Sequence, residues 1–322
     1  MKLSRIAMLI VSTACFMLLC LAFFQTLLQY PSAPMLLLKM CTGGCGIGNQ
    51  MFVYASGLGI AKETPETPIC VYAERSTTHN QVHPGSIMAK HVDLVWPRPI
   101  ESCTRQMMGD ATYFTLQVFG NVLGANLGIL DRFSPPHTMY EPFRFDKRAP
   151  LVIDSSLESF KYFLNLSHPI YQLKQHDAAA RWMAKRGLTS TVHVRRGDKL
   201  LNGEPVAPLA FYKAALRLLG HGRVAVCTDD VPWVLQQRVF ENASISSADP
   251  GFDMALLAAA TDTVIIGIGT FGWWGAFLSR AQRKIFYPIQ FTGEAAAGYS
   301  ESDYIPYGVP GQGEWIPLLP AD

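Results

Sequence analysis

Val192-His193-Val194-Arg195-Arg196-Gly197-Asp198-Lys199 reads as a short apolar strand that releases two arginines, a glycine and an aspartate at its C-terminal end. Side chains alternate along an extended chain, so Val192 and Val194 point one way while His193 and Arg195 point the other. The same pattern continues around it. A helix over Tyr171–Arg186 leads to the strand Thr191–Arg195, and a helix over Pro208–Leu219 leads to the strand Arg223–Cys227. Helices are expected at Val231–Phe240, Phe252–Ala260 and Phe271–Ala281, with strands at Thr263–Ile268 and Lys284–Tyr287. Upstream, Met35–Lys39 reads as a buried strand, Cys41–Gly48 as a glycine-rich loop and Asn49–Glu63 as a helix. Leu151–Asp154 is a further strand, followed by a helix over Leu157–Leu164, whereas proline, histidine and short polar breaks leave residues 64–150 without a period. Strands alternating with helices of this length predict parallel βαβ units. Two such stretches predict an α/β protein with two Rossmann-like domains facing a cleft, with ligands beyond the C-terminal ends of the strands.

The chemistry-bearing residues fall at those ends. A guanidinium pair suits a diphosphate, because each fork engages two oxygens at once; as an ordinary surface turn the pair would instead hold a salt bridge with Asp198. Gly43-Gly44-Cys45-Gly46-Ile47-Gly48-Asn49-Gln50-Met51 brings backbone amides close to an anion at a helix start, or else forms a compact turn with Asn49 as N-cap. It lacks the Gly-Lys-Ser/Thr of a Walker loop, and Asn49 breaks the GxGxxG fingerprint, which disfavours a nucleotide-dependent oxidoreductase. In Cys227-Thr228-Asp229-Asp230 the paired aspartates suit either a divalent metal or the capping of the next helix, and Pro232 in its first turn favours capping. Gly267-Ile268-Gly269-Thr270-Phe271-Gly272-Trp273-Trp274-Gly275-Ala276 is a second anion-ready helix start, whose tryptophans either line a site or pack in the core.

The remaining features concern location. Lys2 and Arg5 precede an uncharged run from Ile6 to Leu28, roughly 23 residues where about 20 suffice to span a bilayer. Basic residues on that side place residues 1–5 in the cytosol and predict a type II signal anchor at 6–28, with a cleaved signal peptide or a buried helix as the alternatives. Residues 29–34 form a short stem, 35–170 a first domain and 171–322 a second. Asn165-Leu166-Ser167 and Asn242-Ala243-Ser244 are acceptors for glycosylation in a lumenal body. Of 7 cysteines, Cys15 and Cys20 lie in the anchor; Cys41, Cys45, Cys70, Cys103 and Cys227 allow one or two disulfides, with Cys227 expected as a small core residue. Their spacing makes no paired zinc site. A net charge of +2 gives no electrostatic reason for a nucleic-acid partner, and 49% hydrophobic residues exclude disorder.

In this order the motifs resemble the α-1,2-fucosyltransferases that use GDP-fucose. Gly46-Ile47-Gly48-Asn49-Gln50-Met51-Phe52-x-Tyr54-Ala55 resembles the family's opening block, with Ile47 where leucine is usual. Ser159–Phe163 resembles its mid-chain block, His193–Asp198 its most diagnostic one, Thr228-Asp229-Asp230 the next and Gly269–Trp274 the last. The very short stem is a departure that does not touch the chemistry. The resemblance implies a GT-B-like fold, an inverting mechanism without a required metal, a Golgi membrane location and transfer of L-fucose to the 2-hydroxyl of a terminal galactose. It implies that Arg196 stabilises the departing diphosphate while Arg195 and Asp198 hold geometry. His193, Asn49, Asp253 and Thr270 become donor-pocket residues, with Gly46, Gly48 and Phe271 from the two helix starts. Glu204, in the loop beyond the arginines, is the candidate base. A protein O-fucosyltransferase and a non-catalytic lumenal glycan-binding protein are the alternatives.

Overall fold

The computed structural model describes residues 35–39, 46–62, 69–72, 91–94, 101–102, 131–134, 140–142, 150–155, 157–164, 166, 170–220, 223–246, 249–291 and 299–319. The expected anchor and stem, Gly43 to Cys45, Cys41, Cys103 and Asn165 lie outside the described residues. Among the described residues no helix is long and apolar enough to cross a membrane.

The first half supplies β1 (Leu36–Lys39), helix α1 (Ile47–Ala61), β2 (Ile69–Tyr72), β3 (Val92–Leu94), β4 (Glu101–Ser102), β5 (Asp131–Phe133) and β6 (Leu151–Ile153). Five of these strands form a parallel sheet in the order β4-β2-β1-β6-β5. Leu36 sits between Ile69 and Leu151, and Leu37 between Cys70 and Val152. Leu36 to Leu38 and Leu151 to Ile153 are buried throughout, the continuous apolar run that a parallel sheet covered on both faces requires.

The second half begins with β7 (Tyr171–Leu173), which pairs antiparallel with β3, then α2 (His176–Ala184), β8 (Ser190–Val194), α3 (Gly197–Leu201), α4 (Leu209–Leu219), β9 (Val224–Thr228) and α5 (Val231–Gln236). It continues through β10 (Ser244–Ile245), α6 (Pro250–Ala258), β11 (Thr263–Ile266), α7 (Thr270–Leu278), β12 (Arg283–Phe286), α8 (Glu301–Tyr304) and β13 (Glu314–Pro317). Its six-stranded parallel sheet has the order β10-β9-β8-β11-β12-β13, which reverses direction between β8 and β11. The first sheet reverses in the same way between β1 and β6. Such reversals open crevices at the strands' carboxyl ends. The expected α/β architecture with two parallel sheets is therefore found.

Two expected helices are corrected. Tyr171 to Leu173 is strand because its burial alternates, with Tyr171 and Leu173 inside and Gln172 out; helix begins only at His176. Leu157 to Leu164 shortens to one 3₁₀ turn at Phe160–Tyr162, because local hydrogen bonds compete with the helix. Leu157 accepts from the Ser159 amide, and the Ser159 hydroxyl accepts from the Lys161 amide.

An aromatic cluster joins the halves. Phe52 of α1 lies 4.5 Å from the ring of Trp273 and 5.0 Å from that of Trp274, and Phe163 stacks on Trp274 at 5.4 Å. Both tryptophans are fully buried, which settles their two sequence readings in favour of packing. Each buried indole finds an acceptor: Trp273 donates to the Tyr304 carbonyl at 2.8 Å and Trp274 to the Gly48 carbonyl at 2.9 Å. Buried donors left unmade would cost about 1–3 kcal/mol each, so these bonds fix α7 against α8 and α1. Cys227 is free and buried, as its strand position led us to expect, and Cys70 is in a disulfide.

Candidate functional site

The site begins where β8 ends. Val192 and Val194 enter the core on one face of the sheet, while His193 takes the other. Carried one step further, the alternation sends the two arginines apart. Arg195 follows His193 toward the crevice, where its guanidinium engages Asp198 at 2.6 Å and also Asp229. Arg196 goes the other way. Its guanidinium lies 4.0 Å over the Trp233 ring, and its Nε donates to Asp230 at 3.1 Å. Both guanidiniums are thus held by protein carboxylates, and of the two it is Arg195 that lines the crevice, where the resemblance implied Arg196. Asp230 also accepts from the Trp233 amide at 3.1 Å, so its capping reading holds.

Asp229 organises the turn. It accepts from Arg195 and, at 2.9 Å, from the Arg196 amide. Burial alone would raise its pKa, but these donors and the Gly197 amide pull it below the usual carboxylate range. A Cβ at Gly197 would meet the Asp229 carboxylate at 2.8 Å, so glycine is needed for that closure.

Two helix starts converge beside this turn. The start of α1 (Gly46 to Asn49) and the start of α7 (Gly269 to Phe271) carry no side-chain cap, so their first amides remain anion-seeking. Asn49 lies inside the first turn rather than at the cap, which is Gly46, and its carbonyl oxygen accepts from the Thr270 hydroxyl. The two helices touch backbone to backbone: a Cβ at Gly48 would sit 2.6 Å from the Thr270 carbonyl carbon.

These pieces enclose a cavity of about 770 Å³. Gly46, Gly48 and Asn49 line one side, while His193, Arg195, Asp198, Glu204, Asp253, Thr270 and Phe271 line the rest; Arg196 is absent from it. His193 is buried with its Nδ1 unpartnered, and burial lowers its pKa to about 4, so it is a neutral imidazole at neutral pH. Phe271 packs at 5.3 Å from that ring. Asp253 is buried and its pKa rises to about 6, mainly through desolvation, although the Ser246 hydroxyl donates to it. Glu204 is held by Lys199 at 2.5 Å, which lowers its pKa and makes it a weak proton acceptor; its position is fixed rather than free.

Sequence reasoning missed Glu158, Lys199, Tyr299 and Tyr304, which also line the cavity. Lys199 stood inside the quoted motif, whereas Glu158 and the tyrosines come from segments whose proximity only the tertiary fold supplies. Asn242 is exposed on a turn, accessible as a glycosylation acceptor should be. Among the described residues no cluster of three or more His, Cys, Asp or Glu side chains is arranged to hold a metal.

Residues 182–304, which build most of the cavity, match the model of glycosyl transferase family 11. The family 11 match spans His193 to Asp198, Thr228 to Asp230 and Gly269 to Trp274. Over 206 residues the chain is 28% identical to the O-antigen biosynthesis glycosyltransferase WbnK of Escherichia coli, covering 54% of this chain and 64% of that protein. Over 174 residues it is 25% identical to the galactoside 2-alpha-L-fucosyltransferase of Caenorhabditis elegans, covering 45% and 47%. The chain thus spans less than two thirds of the length of each of these relatives. A crystal structure of NodZ alpha-1,6-fucosyltransferase co-crystallized with GDP overlays with a TM-score of 0.46 at 15% identity, covering 77% of this chain and 93% of that one.

Proposed function

We propose that this chain is a GT-B-type glycosyltransferase that moves L-fucose from GDP-fucose to the 2-hydroxyl of a terminal galactose, with inversion and without a resident metal. The observation that carries the reading is the convergence of Arg195 and two uncapped helix starts on one cavity at the strand ends of both sheets. Breaking a sugar–phosphate bond leaves negative charge on the diphosphate and positive charge on the ring. Arg195 and the amides of α1 and α7 are placed to receive that negative charge. The matched family and the relative named as a galactoside 2-alpha-L-fucosyltransferase support the choice of sugar and acceptor.

In this reading residues 171–322 hold the nucleotide and residues 35–170 form the acceptor side. Asp253 accepts hydrogen bonds from the base, and His193 braces the turn that carries Arg195. Arg196, locked on Trp233 and Asp230, keeps α5 and the turn in register. The uncharged run Ile6–Leu28 anchors the enzyme in the Golgi membrane, with the catalytic body lumenal.

The test is direct. Full-length chain in detergent is incubated with GDP-fucose and a terminal β-galactoside in the presence of EDTA, and the product linkage is determined. An α-1,2-linked fucose is expected. Fucose appearing only on protein hydroxyls would move the assignment to protein O-fucosylation; glycan binding without turnover would make the chain a binding protein.

A further inference from the structure

The first-half wall of the cavity holds one acidic side chain that no motif marked. Glu158 lines the cavity yet is only 6% exposed. Burying a carboxyl group is costly, so its placement needs a cause. The backbone supplies one. Leu157, immediately before it, is the one non-glycine residue at positive φ (47°) among the described residues. Such a conformation is unfavourable for a residue with a side chain and persists only when its surroundings over-determine it. Here the Ser56 hydroxyl of α1 donates to the Leu157 carbonyl at 2.8 Å, and the Leu157 amide donates to the Ser155 hydroxyl at 3.3 Å. On the other side the Ser159 hydroxyl donates to the Asp303 carbonyl at 2.6 Å. Glu158 is clamped from α1 before it and from α8 after it.

The electrostatics place Glu158 near a second region. Tyr299 has its pKa raised to about 12, by burial first and then by the charges of Glu158 and Glu204. The other carboxylates of the cavity serve the opposite wall: Asp198 and Asp229 grip Arg195, Glu204 grips Lys199, and Asp253 is bonded by Ser246. In an inverting displacement the incoming hydroxyl approaches the face of the sugar opposite the leaving group, so its proton acceptor must stand across the site from the leaving-group contacts. Glu158 comes from the first sheet's wall and Arg195 from the second's.

We propose that Glu158 is a catalytic residue, the base that accepts the proton of the attacking hydroxyl. The inference rests on the fucosyl transfer proposed above. In the step, the acceptor oxygen bonds to the anomeric carbon as the bond from that carbon to the β-phosphate oxygen breaks. The electron pair of that bond leaves with GDP, and the hydroxyl proton passes to the Glu158 carboxylate.

Glu158→Gln keeps the shape and removes the base; Glu158→Asp keeps the base and shortens its reach. Measured on the full chain, Glu158→Gln is expected to retain its melting temperature and bind GDP as wild type does, while kcat falls at least about a hundredfold. The wild-type rise of kcat on the acid side should vanish in Glu158→Gln and persist, displaced, in Glu158→Asp. Asp253, whose pKa is raised to about 6, is the other cavity carboxyl that could shape that limb, so Asp253→Asn serves as control, expected to alter the donor KM rather than that limb. Near-normal turnover of Glu158→Gln, an unchanged acid limb, or loss of GDP binding would overturn the assignment. Wild-type chain that neither binds GDP nor consumes GDP-fucose would instead overturn the transfer reading beneath it.

Discussion

The two walls of the cavity are built alike and equipped differently. Each is a parallel sheet whose strand order reverses, and each offers a glycine-rich, uncapped helix start at the reversal. The second-half wall adds two cations, Arg195 and Lys199, a neutral imidazole and the three carboxylates paired with those cations. Among the described residues the first-half wall adds Glu158 as its one charged side chain. Among these residues anion handling is concentrated on one side, and the side facing it presents a single buried acid. That division is what a displacement between a charged leaving group and a neutral acceptor needs.

The division can be broken at several points. The largest effect is expected at Arg195: Arg195→Ala should keep the fold, as judged by circular dichroism, and lose about 10²–10³ in kcat. Arg196→Ala should lose far less activity and show mainly a lowered melting temperature, because it removes a cation–π contact and a partner of Asp230. Next comes the seam between the walls. Gly48→Ala drives a methyl into the Thr270 backbone, and the overpacking should cost about 1–3 kcal/mol of stability and raise the donor KM.

Smaller effects sharpen the comparison through pH. Asp253 has its folded pKa raised above its unfolded value, so its contribution to stability is present below pH about 4 and is lost as pH rises through about 6. Asp253→Asn should therefore melt higher than wild type at pH 7, by about 1–2 kcal/mol, while binding GDP less tightly. His193 runs the opposite way. Its folded pKa is lowered to about 4, so the neutral ring stabilises the fold above its unfolded pKa, and that contribution is lost as pH falls toward 4. Melting curves between pH 4 and 7 should show that loss in wild type and a smaller one in His193→Gln.

The contrast between the walls also governed what the sequence could reveal. The second half was legible because its strands are continuous apolar runs, each ending in a compact motif. Its element positions were expected within a few residues, and His193, Asp253 and Thr270 fall on the cavity. The role given to Arg196 was implied by resemblance, whereas the alternation of Val192, His193 and Val194 already placed Arg195 with His193. Glu158 was unreadable for a different reason: its orientation depends on a left-handed leucine held by Ser56, some 100 residues earlier, and on Ser159 tied to Asp303, some 140 residues later. Local pattern carries no trace of such distant clamps.

The most direct test of the central claim is calorimetric titration of GDP, in EDTA, into wild type, Arg195→Ala and Arg196→Ala. The structure predicts that Arg195→Ala loses at least about tenfold in affinity, about 1.4 kcal/mol, whereas Arg196→Ala binds within about threefold of wild type. Affinity lost in Arg196→Ala and kept in Arg195→Ala would contradict the account.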